Sequence, residues 1–279
     1  MRTSTLRAAA RAVGVATITA CVALVPATAA AQFGQQDKGR PTPPAESYHV
    51  EVSGNLWNPS LFGVISSEQF GQIGSDIDFT TDLGYERTRF KDLRIVLRPA
   101  TKHRFRAQYT PVVLTAEKNF SRNIVFNGIL FPVSVPVEST FEWKVWRLGY
   151  EYDFVYQPWG FVGVLLETRM TTFNAELNSV LASEYANAKG PLPAIGVVAR
   201  GYVHPTVALN FEMSGMRVPE IDPKYHANYV DWDLYGTVNF GRNGGFQMGY
   251  RKATTFLSIE NDKGDLKFGG IWFGAVLRY

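Results

Sequence analysis

The chain has 279 residues, of which 46% are hydrophobic and 14% aromatic, with 28 Lys and Arg against 25 Asp and Glu. This near balance excludes the strongly basic surface typical of nucleic-acid-binding proteins. With four histidines and one cysteine, the sequence contains no Cys/His spacing typical of a metal site and allows no internal disulfide. We therefore expect no metal, no cofactor and no nucleic-acid partner.

The first 31 residues have the pattern of an export signal. Three arginines precede an uncharged run, Ala12–Ala31, which ends in small residues. A basic start, an apolar middle and an A-x-A site predict a secretory signal peptide over 1–31, cleaved after Ala31. Two alternatives stay open. The run is nearly long enough for an uncleaved membrane anchor, and Ile18–Cys21 loosely fits the lipid-attachment box of a lipoprotein.

Cleavage would change the charge of the protein. The signal carries three arginines, the cysteine and no acid, so the remaining 248 residues would hold 25 basic and 25 acidic side chains. The next segment, 32–47, is polar and proline-rich, which predicts a flexible periplasmic lead-in without a core of its own. The rest, 48–279, has the length of one all-β domain.

This domain shows segments of alternating hydrophobicity and no long run with helical periodicity. Alternation predicts β-strands. The predicted strands are Val50–Leu56, Arg89–Arg98, His103–Leu114, Trp146–Phe154, Phe161–Thr172, Ala194–Val203, Val207–Met216, Val230–Phe240, Phe246–Leu257 and a last one within Leu266–Tyr279.

The connections between these strands alternate between short and long. The short ones are rich in turn-forming residues: Pro99–Lys102, Gln157–Gly160, His204–Pro205 and Gly241–Gly245. The long ones are Asn58–Thr88, Ala116–Val145, Phe173–Pro193, Arg217–Tyr229 and Ser258–Leu266. An even number of strands with short periplasmic turns and longer extracellular loops is typical of outer-membrane barrels. The sequence thus predicts an all-β fold, a closed antiparallel transmembrane barrel of ten strands; eight or twelve would follow if one hairpin were misread.

Charges fall on one face of strand after strand, and apolar residues fall on the other. A soluble β-sandwich has the same alternation. The export signal, the loop alternation and the last strand favour the membrane, with the apolar face toward lipid and the charged face toward the lumen. The predicted lumen charges are Glu51, Arg94, Arg98, Arg104, Arg106, Arg147, Glu151, Asp153, Glu167, Arg169, Arg200, Glu212, Asp231, Asp233, Arg251 and Arg278.

These inward charges allow two interpretations. In the first, nine arginines and seven acids pair to fill a narrow lumen, because buried charges need partners and a barrel of this size is barely wider than its own side chains. In the second, they line a narrow path for a small polar solute, with the arginines favouring anions. We favour the first.

One segment breaks the alternation. Phe141, Trp143 and Val145 alternate with charged residues, but from Trp146 onward the apolar parity is reversed. Either a β-bulge lies near Val145, or the upstream half projects beyond the bilayer. We favour projection, since Trp146–Phe154 nearly supplies the roughly nine to eleven residues that a tilted spanning strand needs.

Two long loops carry distinctive residues. The first contains Ile73–Gly84, an I-D-x-x-x-D-L-G element similar to one in uncharacterised outer-membrane barrels. The second contains the apolar stretch Ile124–Val137. That stretch predicts either an extended hairpin leaning on the rim or the lipid headgroups, which we favour, or a lid or adhesive surface.

The last fourteen residues carry the most specific signal. Ile271, Phe273, Ala275, Leu277 and Tyr279 place apolar residues at alternate positions up to a terminal aromatic. This resembles the closing strand that the barrel-assembly machinery recognises in bacterial outer-membrane barrels, although such strands usually end in Phe. The resemblance, to the OmpA/OmpX/OmpW-like barrels, implies a bacterial outer-membrane location and a monomer. It also implies outer-membrane lipid, lipopolysaccharide and the assembly machinery as partners.

Catalysis is the least favoured function. Some small barrels are lipid-modifying or proteolytic enzymes with His–Asp or Ser–His groups at the outer rim. Here only His226 lies in a predicted extracellular loop, with Asp222, Tyr225 and Asp231 near it in sequence. A His–Asp pair can activate water, but no nucleophile with a positioned base is evident, so no catalytic residue is assigned.

Overall fold

The computed structural model describes residues 43–67, 74–222, 225–259 and 262–279. The predicted signal peptide, 1–31, and most of the predicted lead-in, 32–42, lie outside the described residues. Among the described residues, no helix is long and apolar enough to cross a bilayer. The residues described from 43 onward belong to one compact unit.

A short 3-10 turn, Pro44–Glu46, precedes a series of strands. In chain order the strands are β1 (Val50–Ser67), β2 (Ile77–Asp78), β3 (Phe90–Ala100), β4 (His103–Asn119), β5 (Ile124–Phe126), β6 (Ile129–Phe131), β7 (Pro136–Gln157), β8 (Gly160–Ser179), β9 (Ser183–His204), β10 (Val207–Asp222), β11 (Tyr225–Phe240), β12 (Gly244–Ile259) and β13 (Asp262–Arg278).

Ten of these strands form the wall of a closed antiparallel barrel. They follow the ring order β1, β3, β4 and β7 to β13, and β13 pairs with β1 from Glu51↔Arg278 to Ser67↔Asp262. The β1–β13 pairing removes the two edge strands that an open sheet would expose. The predicted fold class, a closed ten-stranded barrel, is confirmed.

The four short connections lie at the predicted places. Residues 101–102, 158–159, 205–206 and 241–243 join wall strands at the same end of the barrel. β1 begins and β13 ends at this end, which we call the short-turn end. The opposite end, the long-loop end, carries the link residues 74–89 and 120–135.

The strands extend further toward the long-loop end than the alternation indicated. Three predicted long links, Phe173–Pro193, Arg217–Tyr229 and Ser258–Leu266, are mostly strand, because β8 to β13 continue as paired hairpins. Their composition is mixed on both faces, so the period of two that marks the lower strands is lost there. The prediction of loops at these three places was wrong.

Near the long-loop end, the upper part of β9 is not paired with β10. β9 and β10 pair up to Ile195↔Gly215 and no further, while β9 stays paired with β8 up to Ser183. Pro191 and Pro193 lie in the part of β9 that has no β10 partner. Proline cannot donate a ladder hydrogen bond and is found at sheet edges, which explains why this edge of β9 is free.

The structure of β7 explains why the apolar residues change parity after Val145. Its pairing with β4 is continuous through this region, and so is its pairing with β8, so no bulge is present there. Phe141, Trp143 and Val145 are buried on the same inward face as Arg147. The parity is constant from Phe141 to Asp153; what changes is the chemistry of the lumen, from charged below to apolar above.

The end of the predicted lead-in also differs from the expectation of a segment without core contacts. Ala45, Glu46 and Tyr48 are buried inside the short-turn end of the barrel. Glu46 enters the lumen because its carboxylate binds arginines there, as described below. A charge pattern confined to strands gives no sign of this insertion.

The first long-loop link is anchored on β1. β2 pairs with β1 at Ile65↔Ile77, and the Phe79 N–H donates to the Gly63 carbonyl at 2.8 Å. The fully buried Phe79 ring then lies directly on Gly63. A Cβ at position 63 would be 2.5 Å from Phe79 Cδ2, so only glycine allows this approach.

We predict that Gly63→Ala displaces Phe79 and loosens the link without unfolding the barrel. An extra methyl in a packed site typically costs about 1–3 kcal/mol. Chemical denaturation followed by intrinsic fluorescence should show this loss. Gly264→Ala on β13 is the matched control, since a Cβ there meets nothing within 4 Å. Equal stability of the two variants would contradict the packing role of Gly63.

Candidate functional site

Charged side chains fill the lumen of the short-turn half. All sixteen predicted lumen charges lie on inward positions of this half; fifteen are buried and Arg106 is partly exposed. Two further buried carboxylates, Glu46 and Asp92, belong to the same set. We call these eighteen residues the charged layer. Nine arginines therefore face nine acids instead of the predicted seven.

The two acids that the prediction left out, Asp92 and Glu46, differ in how clearly the sequence marks them. Asp92 has the same strand parity as Arg94, so strict alternation along β3 would have found it. Glu46 precedes the first strand and no pattern in the sequence marks it. Its carboxylate accepts from Arg200 Nη1 at 2.7 Å and from the Tyr202 hydroxyl at 2.9 Å.

Further contacts tie the 3-10 turn to the wall. Arg98 and Arg104 lie 3.7 and 3.5 Å from Glu46 Oε2. Arg104 also donates to Glu151 at 2.9 Å and contacts Asp153. Glu46 thus links arginines of three strands and closes the short-turn end.

In the middle of the layer, ion pairs cross the bore. Arg94 on β3 donates to Glu212 on β10 at 3.0 Å, and these two strands lie five places apart in the ring of ten. Arg106 binds the other oxygen of Glu212 at 2.6 Å and Glu151 at 2.9 Å. Side chains from opposite walls therefore meet directly, and the centre of the lumen is occupied.

Asp231 organises the upper part of the layer. Its carboxylate lies 2.7 Å from Arg251, 3.1 Å from Arg169 and 3.3 Å from Arg147. Glu167 binds Arg147 and Arg169 at 2.9 and 2.8 Å. Buried charges are tolerated when each is paired and hydrogen-bonded, and this arrangement meets that requirement.

The spaces left in the charged layer are small. One cavity, lined among others by Tyr48, Arg106 and Glu212, has a volume of about 20 Å³, and another beside Asp92 and Trp272 has about 10 Å³. A water molecule needs roughly 10–15 Å³ on this measure. Each cavity therefore has room for about one water.

Above the charged layer the lumen is apolar. The aromatic layer consists of Trp57, Phe90, Phe141, Trp143, Phe268 and Trp272, all buried. Trp143 stacks on Phe268 with ring centroids 4.9 Å apart, and Phe90 meets Phe268 edge-on at 5.8 Å. Two contacts join the layers: Arg251 lies over the Trp57 ring at 4.9 Å, and Trp272 Nε1 donates to Asp233 at 2.7 Å.

The two long-loop links close the mouth above this layer. Together, residues 74–89 and 120–135 form what we call the cap. Ile124, Phe126 and Phe131 of the β5–β6 hairpin are fully buried, as is Phe79, which contacts Phe141 at 4.7 Å. The predicted hairpin is present, but its buried side turns inward as a lid instead of leaning on the rim, while Ile129, Leu130 and Val133 stay exposed.

Polar contacts hold the two halves of the cap together. Arg122 donates to Asp82 at 2.7 Å and also to the Asp76 carbonyl. The Ser75 N–H donates to the Val125 carbonyl at 2.8 Å. Asp78 accepts the N–H groups of Thr80 and Thr81 at 2.8 and 2.7 Å, which fixes the turn after β2. The I-D-x-x-x-D-L-G element is thus part of the cap.

Both aspartates have lowered pKa values. Burial alone would raise the pKa of Asp82, but the hydrogen bond and charge of Arg122 hold it below its ordinary 3.8. Burial likewise opposes ionisation of Asp78, and the backbone N–H groups of Thr81 and Thr80 lower its pKa below 3.8. The cap is therefore built around ionised carboxylates.

Comparisons with known proteins give the fold. No protein-family model and no curated protein matches the chain. Among solved structures, the outer membrane protease OmpT from Escherichia coli matches with a TM-score of 0.54 at 8% identity, over 82% of this chain and 96% of its own. Ail, the attachment invasion locus protein of Yersinia pestis, covers 83% of this chain and 99% of its own at 10% identity, with a TM-score of 0.36. The chain folds as a small outer-membrane β-barrel.

Outer-membrane barrels place short turns in the periplasm and long loops outside; in this barrel the cap lies at the long-loop end and Glu46 at the short-turn end. The outer wall agrees with a membrane location. Large apolar side chains are exposed around the ring, among them Leu97, Trp146, Leu166, Leu209 and Met248. The five residues of the proposed insertion signal are also exposed on the outer face of β13; their recognition by the assembly machinery stays a prediction.

The residues considered for catalysis are not brought together. The His226 ring packs edge-on against Phe256 at 5.5 Å. Asp231, its candidate partner, is bound to three arginines in the charged layer, and the side chains of Asp222 and Tyr225 lie outside the described ones. Within the described part of the chain, His, Cys, Asp and Glu form no group of three that could hold a metal ion.

We predict that acid loosens the cap before the barrel. A carboxylate with a lowered pKa in the folded state stabilises that state above its unfolded pKa, and this stabilisation is lost as the pH falls further. Hydrogen exchange of residues 76–86, corrected for the intrinsic rate, should therefore accelerate as the pH falls below about 4, where Asp82 and Asp78 begin to protonate.

Asp82→Asn is the control. It should already exchange faster at neutral pH and show a smaller acid effect, which does not vanish because Asp78 remains. Protection in the native protein that stays constant down to the lowest pH would refute the role of these carboxylates.

Proposed function

We propose that this outer-membrane barrel is a closed, non-conducting scaffold that acts by binding at its extracellular end. The observation that carries the proposal is the set of ion pairs across the bore, above all Arg94–Glu212 between opposite strands. A barrel of about ten strands has an interior that its side chains can fill, and here they meet in the centre.

Charge balance argues against the alternative of an anion path. Such a path would need arginines free to attract a solute, whereas each of the nine arginines of the charged layer has a carboxylate within 3.7 Å. The two additional acids, Glu46 and Asp92, remove the excess of positive charge that the sequence suggested.

The layers above make ion passage less favourable still. An ion that left the charged layer would enter a region of aromatic rings with few polar groups to replace its water. Moving a charge into such surroundings is very costly. The cap then covers the mouth. The charged layer and the apolar region above it are therefore two barriers in series. The surface left for function is the cap and the strand ends around it.

We predict no steady current from the purified barrel in a planar lipid bilayer, because the charged layer fills the bore. Replacing Ile124–Phe131 with a short Gly-Ser linker should open the mouth and still leave the bilayer silent. A steady, anion-preferring current from the native protein, reversed by Arg94→Glu with Arg106→Glu, would establish the channel instead.

We also predict that Arg147→Ala destabilises the barrel more than it opens it. This change leaves Glu167 and Asp231 with one arginine fewer in a buried site, a loss that typically costs about 3–5 kcal/mol. Lys267→Ala is the control, because its side chain is 45% exposed, that of its partner Asp265 is 34% exposed, and exposed pairs contribute little. Denaturant unfolding in lipid measures both; similar stability of the two variants would contradict a structural role for the charged layer.

A further inference from the structure

The inner face just beneath the cap encloses a cavity of about 80 Å³. Its walls are inward side chains of the upper strands together with one cap residue: Ile65, Phe126, Phe141, Phe173, Leu257 and Leu266. Ser66 and Lys263 also border it, but at strand positions of the opposite parity, which direct side chains away from the lumen.

Two alanines create this space. Ala175 on β8 and Ala186 on β9 are direct cross-strand partners, and both point inward and border the cavity. The neighbouring inward positions on β8 hold Phe173 and Leu177, which are several times larger. Two methyl groups among such residues leave a gap that the surrounding rings do not fill.

The chemistry of the lining selects the occupant. Water needs two to four polar partners to stay in a cavity, and apolar cavities of this kind remain dry and take up small hydrocarbons. The cavity exceeds the space of one water several-fold, yet the inward side chains around it offer only hydroxyl groups such as that of Thr255. A polar ligand would lose its hydrogen bonds to water without replacement.

Phe126 forms the wall of the cavity on the side of the cap. It lies in the β5–β6 hairpin, whose turn residues Asn127 and Gly128 have positive φ of 49° and 77°, as a tight two-residue turn requires. Asn127 ties the hairpin to both sides of the mouth. Its N–H donates to the Ser67 carbonyl at 3.2 Å, and its side-chain amide donates to the Tyr185 carbonyl at 3.2 Å. Together with the Ser75–Val125 backbone bond and the burial of Ile124 and Phe131, these bonds hold Phe126 over the cavity.

We propose that this cavity is a binding site for a small hydrocarbon moiety, either alkyl or aryl, held between Phe126, Phe173 and Leu266. The proposal rests on the proposed function, since it names what the extracellular end binds. The moiety has two possible sources, a free hydrocarbon that arrives from outside and the acyl chain of a neighbouring membrane lipid, and the experiment separates them.

The test uses the full chain in lipid nanodiscs, with fluorobenzene as the probe and ¹⁹F saturation transfer as the measurement. The native protein should bind fluorobenzene saturably. Ala186→Leu fills the cavity and should abolish saturable binding, while Ala199→Leu, on the outer face of the same strand, should not. Ala175→Leu provides a second filling variant, and a heat-modifiable gel shift shows that each variant is folded.

A second arm uses nanodiscs that contain a phospholipid with a photoreactive diazirine in its acyl chain. Crosslinks to peptides with Phe126 or Phe173, lost in Ala186→Leu, identify lipid as the occupant; saturable fluorobenzene binding without crosslinks identifies a free hydrocarbon. A folded native protein that gives neither signal overturns the proposal. If the barrel binds fluorobenzene but also conducts ions, the hydrocarbon site is supported and only the proposed closed scaffold is refuted.

Discussion

The need of every buried arginine for a carboxylate shapes this barrel more than any other constraint. Charges removed from water are tolerated only in close pairs, and the nine lumen arginines lie on strands all around the ring. Some partners lie on the neighbouring strand, as Glu51 does for Arg278, and others reach across the bore, as Glu212 does from β10 toward Arg94 and Arg106. The bore is filled as a consequence of the pairing.

The same constraint explains a feature outside the strands. Arg98, Arg104 and Arg200 converge near the short-turn end, where the wall alone supplies too few acids. Glu46 meets this shortage from a 3-10 turn that precedes β1. Its insertion anchors the start of the barrel against strands far away in sequence, so the segment before the first strand is part of the folded domain.

The change from charged to aromatic lumen determines what alternation could and could not predict. Below Val145 polarity distinguishes the two faces, and the strand centres, the short turns and the sixteen lumen charges could be read from the sequence. Above it both faces carry apolar residues, so Phe141 and Trp143 looked like a reversal of parity. The predicted ends of β8 to β13 were wrong for the same reason. These strands continue where the two faces no longer differ in composition.

Long-range packing accounts for the remaining differences between the predicted and the observed structure. Whether Ile124–Phe131 leans on the rim or folds inward depends on the depth of the mouth and on Phe79, Phe141 and Phe173, which come from three distant segments. The Ala175↔Ala186 pair could not be predicted from the sequence either. The two alanines lie in separate segments, and only the pairing of β8 with β9 places them opposite each other.

The two layers allow a division of roles within one narrow tube. The charged layer closes the bore through pairs that tolerate little change, because the loss of one partner leaves a buried charge. The aromatic layer and the cap depend on non-directional packing, which accepts hydrophobic substitution as long as volume is kept. In the proposed closed scaffold the lower layer seals the barrel, so the upper layer is free to contain a cavity without opening a path through the membrane. A binding site at the mouth is therefore compatible with a barrel that does not conduct.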